Sequence, residues 1–284
     1  MTATEALQSA SQHLAADPHL ADNARRDAEL LLLHTLDISK AALLANPARE
    51  LTSEQQTRYQ AAITRRLRHE PIQYITGTQE FYGLPFHVTP AVLIPRPETE
   101  LLVEAVLSRL PHDRPVTIAD IGVGSGAIAI ALAANLPHAH LTALDLSPAA
   151  LAVAQSNAAD HNLTSRIRLL HSDLLDALPP SQRTAHFDAI VSNPPYVPLT
   201  EAPQLHPQVR EHEPATALFA GTDGLDIYRR LIPQAHQALK PGGILALEIG
   251  HGQREALATL LHGWSGMTFL DDLQGIPRVA LANK

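Results

Sequence analysis

The chain has 284 residues, 45% of them hydrophobic and 18% charged, and a formal net charge of −8. That length can bury one large domain with a smaller one beside it, while the acidic balance argues against a surface held to nucleic acid mainly by counterion release. With no cysteine in the sequence, disulfides, thiolate zinc sites and cysteine nucleophiles are excluded. Met1 to Glu5 carry no basic segment followed by an apolar stretch, and no membrane-length apolar span occurs later. A soluble, cytoplasmic protein with no membrane partner is expected.

Residues 1–75 are expected to be helical, because Leu30, Leu31, Leu33 and Leu36, then Ile63 and Leu67, recur at helical spacing among polar residues. Asp17-Pro18 and Asn46-Pro47 break that pattern. Arg58, Arg65, Arg66 and Arg68 gather toward its end, either as a solvated helix face or as a face for a partner. Phe81, Tyr82, Phe86 and Val88, with Gly83-Leu84-Pro85 among them, fit a short hairpin. Ile94 to Glu100 follows, and Leu101, Leu102, Ala105 and Val106 then trace one helical face, with Pro97 early enough to be harmless.

From Val116 the pattern alternates. Strands are predicted near 116–121, 140–145, 166–171, 187–192 and 243–249, with helices near 125–136, 148–160, 224–239 and 252–262, the signature of a parallel sheet covered by helices. Met267 to Leu270 and Pro277 to Ala282 can add two antiparallel strands. The fold class is therefore α/β.

Directly after the first of these strands, Gly122, Val123, Gly124, Ser125 and Gly126 form a turn whose glycines let the backbone approach a ligand, with free amides available at the helix start. Such a turn also serves ordinary packing. It lacks the spacing of the dinucleotide fingerprint and the Gly-Lys-Ser/Thr of a phosphate loop. Asp145 ends the next strand, where a carboxylate can accept both ribose hydroxyls of an adenosine-containing cofactor or can instead cap the helix after Ser147-Pro148. Asp173 can approach an adenine amino group at the third strand's end and Leu174 can touch the base; a surface loop and a core leucine are the alternatives.

Asn193-Pro194-Pro195-Tyr196 follows the apolar run Ala189-Ile190-Val191. A side-chain amide nitrogen is a poor nucleophile, so catalysis on it requires placement and charge stabilisation. The Asn193 side-chain oxygen can accept one amide hydrogen and the Pro194 carbonyl the other, the two prolines stiffen the loop and remove donors, and Tyr196 can lie against the planar group. A rigid structural turn is the alternative. Together with the glycine turn, this pairing points to methyl transfer onto a planar nitrogen. Arg96 can anchor a carboxylate or substrate backbone. Glu98 and Glu100 can shape a substrate pocket, although acids in a first helical turn also suit the macrodipole. Among 16 histidines there is no His-Glu-x-x-His, so His206, His212 and His251 are read as ordinary residues and no metal is expected.

Ile94 to Glu100, Asp120 to Gly126 and Ser192 to Tyr196, with Glu70 to Gly77 and Val209 to Leu218, together resemble the bacterial peptide chain release factor N5-glutamine methyltransferases, the PrmC/HemK family. The resemblance implies a helical substrate-recognition domain over 1–75, a hairpin linker over 76–95 and a seven-strand, Rossmann-like class I methyltransferase domain over 96–284. It implies S-adenosylmethionine as cofactor, S-adenosylhomocysteine as product, and class 1 peptide chain release factors as partners, modified at the glutamine of a Gly-Gly-Gln loop. Gly122 to Gly126 would match the cofactor loop, Asp145 the ribose acid, Leu174 the base contact, and Asn193 to Tyr196 the amide clamp. A second enzyme class uses the same tetrapeptide to hold an adenine amino group in DNA or RNA. Here no target-recognition domain is evident, and no direct nucleic-acid substrate is expected. A non-enzymatic module that binds a translation factor is the reading from a different class.

Overall fold

The computed structural model describes all residues, 1–284, as two compact units, one of residues 1–78 with 204–212 and one of 79–203 with 213–284. The first unit is helical, with α1 (Ala3–Ala15), α2 (Ala24–Leu36), α3 (Lys40–Ala45), α4 (Ser53–Leu67) and α5 (Ile72–Thr76). Thr2 and Thr52 begin α1 and α4 with reciprocal capping boxes to Glu5 and Gln55, which satisfy amides that a helix start leaves unpaired. The buried face of α2 runs through Ala24, Asp27, Ala28, Leu31, Leu32, Thr35 and Leu36. Leu30 and Leu67, counted into the apolar face from spacing, are exposed. Arg66 is not on a solvated face either: it is buried and donates to Asp27 at 2.8 Å. The tail of the basic cluster is therefore partly a core ion pair.

A hairpin of β1 (Thr78–Phe81) and β2 (Leu84–His87) follows. Its turn is Tyr82-Gly83, one residue earlier than the Gly-Leu-Pro segment suggested, and both residues have positive φ, as the right-handed strand twist demands of a two-residue turn. The next elements are α6 (Glu100–Leu107), β3 (Val116–Ile121), α7 (Ala127–Asn135), β4 (Ala139–Asp145), α8 (Pro148–Asp160), β5 (Ile167–His171) and β6 (Phe187–Ser192). After them come α9 (Pro207–His212), α10 (Ala215–Leu218), α11 (Asp226–Ala238), β7 (Leu239–Glu248), α12 (Arg254–Leu260), β8 (Ser265–Asp271) and β9 (Pro277–Asn283). The expected alternation and the antiparallel end are both present.

The seven strands lie in the order β5-β4-β3-β6-β7-β9-β8, the first five parallel and β9 antiparallel to both its neighbours. Both faces are covered. On β3, Val116 and Ile118 enter the cluster beneath α6, α7 and α8, while Ala119 and Ile121 enter the one beneath α11 and α12, so a strand with two dry faces reads as a continuous apolar run. This is the class I Rossmann-like methyltransferase fold. No helix is long and apolar enough to cross a membrane.

One buried amide ties the hairpin to this layer. Asn157 on α8 accepts from the His87 amide at 2.8 Å and donates to the His87 carbonyl at 3.0 Å and the Ser125 carbonyl at 2.8 Å. Asn157→Leu is expected to lower stability by about 2–3 kcal/mol, because it leaves three backbone groups without partners. Urea unfolding measures this directly, and a loss below about 0.5 kcal/mol would show that the bonds are replaced by water at no cost.

Candidate active site

The register brings three strand ends to one edge. Ile121 on β3 lies opposite Leu144 on β4 and Ser192 on β6, so the loops leaving β3, β4 and β6 open side by side where parallel sheets place their ligands. A cavity of about 420 Å³ sits there, within the range of small-molecule sites. Gly122, Val123, Gly124 and Ser125 line it after β3, Asp145 after β4, Asp173 and Leu174 after β5, and Asn193, Pro194 and Pro195 after β6. Arg96 and Thr99 close another side.

Gly122, Gly124 and Gly126 all have positive φ. At Gly126 a Cβ would also stand 3.0 Å from the Ile130 side chain and 3.5 Å from Ala154, so this glycine lets α7 begin tight against α8 without lining the cavity. Of the expected free amides in the loop, four are bound within the protein, and only that of Ser125 has no partner. Gly122 and Val123 donate to the Leu144 carbonyl, Gly126 donates to Val123, and Gly124 donates to Asp145 Oδ2 at 2.9 Å. What the loop offers a ligand is bare backbone at Gly122 and Gly124. Asp145 Oδ1 accepts from the Ser147 amide at 2.8 Å, so two backbone donors fix the carboxylate. Each oxygen keeps a further lone pair for a ligand hydroxyl. The helix-cap and ligand readings of Asp145 are thus compatible.

Asp120 lies behind the loop, fully buried, with Oδ2 accepting from the Ala129 amide at 3.1 Å and Oδ1 without a partner. Burial, with the Asp145 charge adding to it against the Ala129 bond, pushes its carboxyl up to about 7. Asp173 lines the cavity at its rim, its Oδ2 paired with Arg230 at 2.7 Å. Leu174 is buried at φ 49°, a left-handed backbone unusual for leucine, and it turns a core-type side chain into the cavity wall.

After β6, Ser192 donates to the Ile121 carbonyl at 2.6 Å, and the Val197 amide donates to the Leu218 carbonyl at 2.9 Å, so both ends of the tetrapeptide are fastened. Asn193 Nδ2 donates to Thr99 Oγ1 at 3.1 Å. Neither Asn193 Oδ1 nor the Pro194 carbonyl accepts a hydrogen bond from the protein. Two adjacent residues on the cavity wall therefore each hold a spare acceptor, which suits a group carrying two N–H donors.

Besides Gly126, three expected site residues stand outside the cavity lining. Tyr196 does not line the cavity: its ring crowds Gly250, its carbonyl accepts from Gln253 at 3.0 Å, and its hydroxyl stands 3.5 Å from Glu248. It supports the loop from behind. Glu100 accepts from the Tyr82 amide at 2.7 Å, which directs its carboxylate to the hairpin. Glu98 is also outside the lining. Arg96 is at the cavity, but its guanidinium pairs with buried Glu213 at 2.6 Å. Thr99 and Glu248 went unassigned from sequence. A carboxylate ending the apolar run Ile244-Leu245-Ala246-Leu247 was the available signal for Glu248. No group of three or more His, Asp or Glu side chains is placed to hold a metal ion.

Residues 5–77 match the PrmC N-terminal domain family and residues 97–206 the methyltransferase small domain family. The release factor glutamine methyltransferase of Koribacter versatilis is 47% identical over 100% of this chain and 99% of its own length. That of Coxiella burnetii is 44% identical over 99% and 98%. Among solved structures, the T. thermophilus 16S rRNA N2 G1207 methyltransferase in complex with AdoMet and guanosine is similar in fold, with a TM-score of 0.55 at 24% identity over 73% of this chain and 49% of that one. The relatives cover the chain from end to end at more than 40% identity, and the chain belongs to the release factor glutamine methyltransferases.

Proposed function

We propose that this chain transfers the methyl group of S-adenosylmethionine to the N5 side-chain amide of the glutamine in the Gly-Gly-Gln motif of class 1 peptide chain release factors. The observation that carries this reading is the pair of spare acceptors, Asn193 Oδ1 and the Pro194 carbonyl, on the wall of a cavity that the glycine turn also lines.

The residues present fit the cofactor. Gly122 and Gly124 admit a bulky ligand against bare backbone, and Asp145, held by Gly124 and Ser147, has lone pairs for two ribose hydroxyls. Leu174 offers an apolar wall for a base, with Asp173 beside it for an exocyclic amine. When bound, S-adenosylmethionine supplies a methyl carbon activated by a positive sulfur. The protein then has to position the nucleophile. Asn193 and Pro194 each take one N–H of the acceptor amide, which fixes its plane and draws electron density toward the nitrogen. Pro195 stiffens the loop, and Tyr196 holds it from behind through Gln253. Arg96, held by Glu213 in an ion pair, contributes a fixed polar wall to the cavity, its charge compensated by that carboxylate.

Offering release factor, RNA and DNA separately with labelled S-adenosylmethionine, and mapping the modified atom, tests the reading. Label on the glutamine amide of the factor is expected, and label on nucleic acid alone would overturn the choice of acceptor. Production of S-adenosylhomocysteine with the intact recipient rejects a purely binding module.

Two substitutions separate the two sides of the cavity. Asn193→Ala is expected to lower kcat about hundredfold, with cofactor Kd changed less than about threefold. Asp145→Ala removes a charged acceptor and is expected to raise cofactor Kd about 10–100-fold. Calorimetric titration of the cofactor beside single-turnover methylation reads both, and equal turnover by the Asn193 variant would remove the clamp from the account.

A further inference from the structure

A clamp made of two acceptors works only if the Asn193 side chain presents its oxygen, and an amide has two ends of nearly equal size. Packing alone does not choose between them; hydrogen-bond partners do. The partner of Asn193 is Thr99, whose hydroxyl stands 3.1 Å from Nδ2 and 2.6 Å from Glu248 Oε2. A carboxylate only accepts, so Thr99 must spend its single proton on Glu248. Its oxygen is then only an acceptor toward Asn193. The NH2 end of Asn193 is bound to Thr99, and the oxygen faces the cavity.

We propose that Glu248 is a positioning residue for methyl transfer, setting through the Thr99 hydroxyl the direction of the Asn193 amide so that its oxygen receives the acceptor N–H. The proposal rests on the reading of Asn193 as an amide clamp and adds the reason why that clamp has the required polarity. With the chain reversed, Asn193 would point its own NH2 at the substrate NH2, donor against donor.

The surroundings of Glu248 suit this task. It ends β7 at 2% exposure. Its backbone carbonyl accepts from the Tyr228 hydroxyl at 2.7 Å, and the Tyr196 hydroxyl is 3.5 Å from Oε1. The charged neighbours are Glu98, before α6, and Arg278, on β9. Burial raises the Glu248 carboxyl to about 7; the Thr99 bond lowers it, Glu98 raises it, and Arg278 and Tyr196 lower it.

Below that value a protonated Glu248 can donate to Thr99, which frees the Thr99 proton to turn toward Asn193 and permits the wrong amide orientation. The polarity is enforced only by the carboxylate, so kcat falls as pH drops through about 7. Acid unfolding cannot produce this limb through Glu248. Its folded pKa lies above its ordinary 4.5, so protonation favours the folded state, and this contribution to stability is lost as pH rises through about 7, not as it falls.

The test compares Thr99→Val, Thr99→Ser and Glu248→Gln with the wild-type enzyme across pH 6–8 by single-turnover kinetics. It uses whichever of release factor, RNA or DNA the wild type labels. Failure to label the factor thus counts against the proposed function alone, because the polarity argument applies to any NH2 acceptor. Thr99→Val is expected to lose about 10–100-fold in kcat with KM and cofactor Kd nearly unchanged. Thr99→Ser is expected to restore kcat and the acid limb. Glu248→Gln cannot titrate, and its amide can either accept from Thr99 or donate to it, so it no longer enforces the polarity; kcat should fall about 10–100-fold and the limb should be lost. A limb generated by Asp120, the other carboxyl raised to about 7, would persist in that variant. Wild-type kcat in Thr99→Val, no recovery in Thr99→Ser, or an unchanged acid limb in Glu248→Gln would each overturn the proposal.

Discussion

The site depends on β3 being hydrogen-bonded in parallel on both sides, to β4 through Ile121↔Leu144 and to β6 through Ile121↔Ser192. A one-residue slip in either pairing would exchange the faces of the slipped strand. It would also move Asp145 or Asn193 away from the glycine turn. Parallel strands require crossovers, and here each crossover helix also closes a layer. The turn between β3 and α7 is consequently short, and a side chain at Gly126 would be strained by its φ of 88° and would press on Ile130 at 3.0 Å. The absence of side chains that admits a ligand at Gly122 and Gly124 is continuous with a packing requirement one turn further on.

Around that frame the polar groups under the strand ends are not there for stability. Asp120 and Glu248 are both buried beneath the cavity edge with carboxyls raised to about 7. Taking such groups out of water costs several kcal/mol each, and an apolar residue of similar volume would pack there at lower cost. Their retention fits a directional role. Asp120 addresses the start of α7 through the Ala129 amide, and Glu248 addresses Thr99 and, through it, Asn193. Each converts a buried charge into an orientation.

How much could be read from the chain follows from the range of the interactions. The strands and helices from Val116 onward were legible because period-two and 3.6-residue patterns are local, and so were the glycine turn and the Asn193 loop, whose residue types restrict backbone and donors. Side-chain partnerships were not. Thr99 and Glu248 meet across 149 positions, and no periodicity records such a pairing. Glu100 resembled a pocket acid because a first-turn acid satisfies several roles equally, and only the Tyr82 amide decided among them. Tyr196 resembled a stacking platform by its place in the tetrapeptide, but Gln253 and Gly250 turn it away from the cavity. Residues 204–212 group with residues 1–78 in the first compact unit, a grouping across the chain that no local pattern in the sequence records.

Arg96 illustrates the same distinction between presence and availability. It lines the cavity and carries the charge expected of an anchor for a carboxylate, but its guanidinium is bound to Oε1 of Glu213, whose side chain is wholly buried and whose Oε2 has no hydrogen-bond partner. Burial raises the Glu213 carboxyl and the Arg96 charge opposes that rise. If Arg96 swung out to meet a substrate carboxylate, it would leave an uncompensated buried charge, a loss of about 3–5 kcal/mol in comparable pairs. An exposed anion would gain far less than that from the contact. Arg96 therefore acts as a fixed part of the wall, its charge compensated by Glu213, and not as a mobile clamp. The acceptor is selected by the oxygens of Asn193 and Pro194, the first of them directed by the Thr99 hydroxyl.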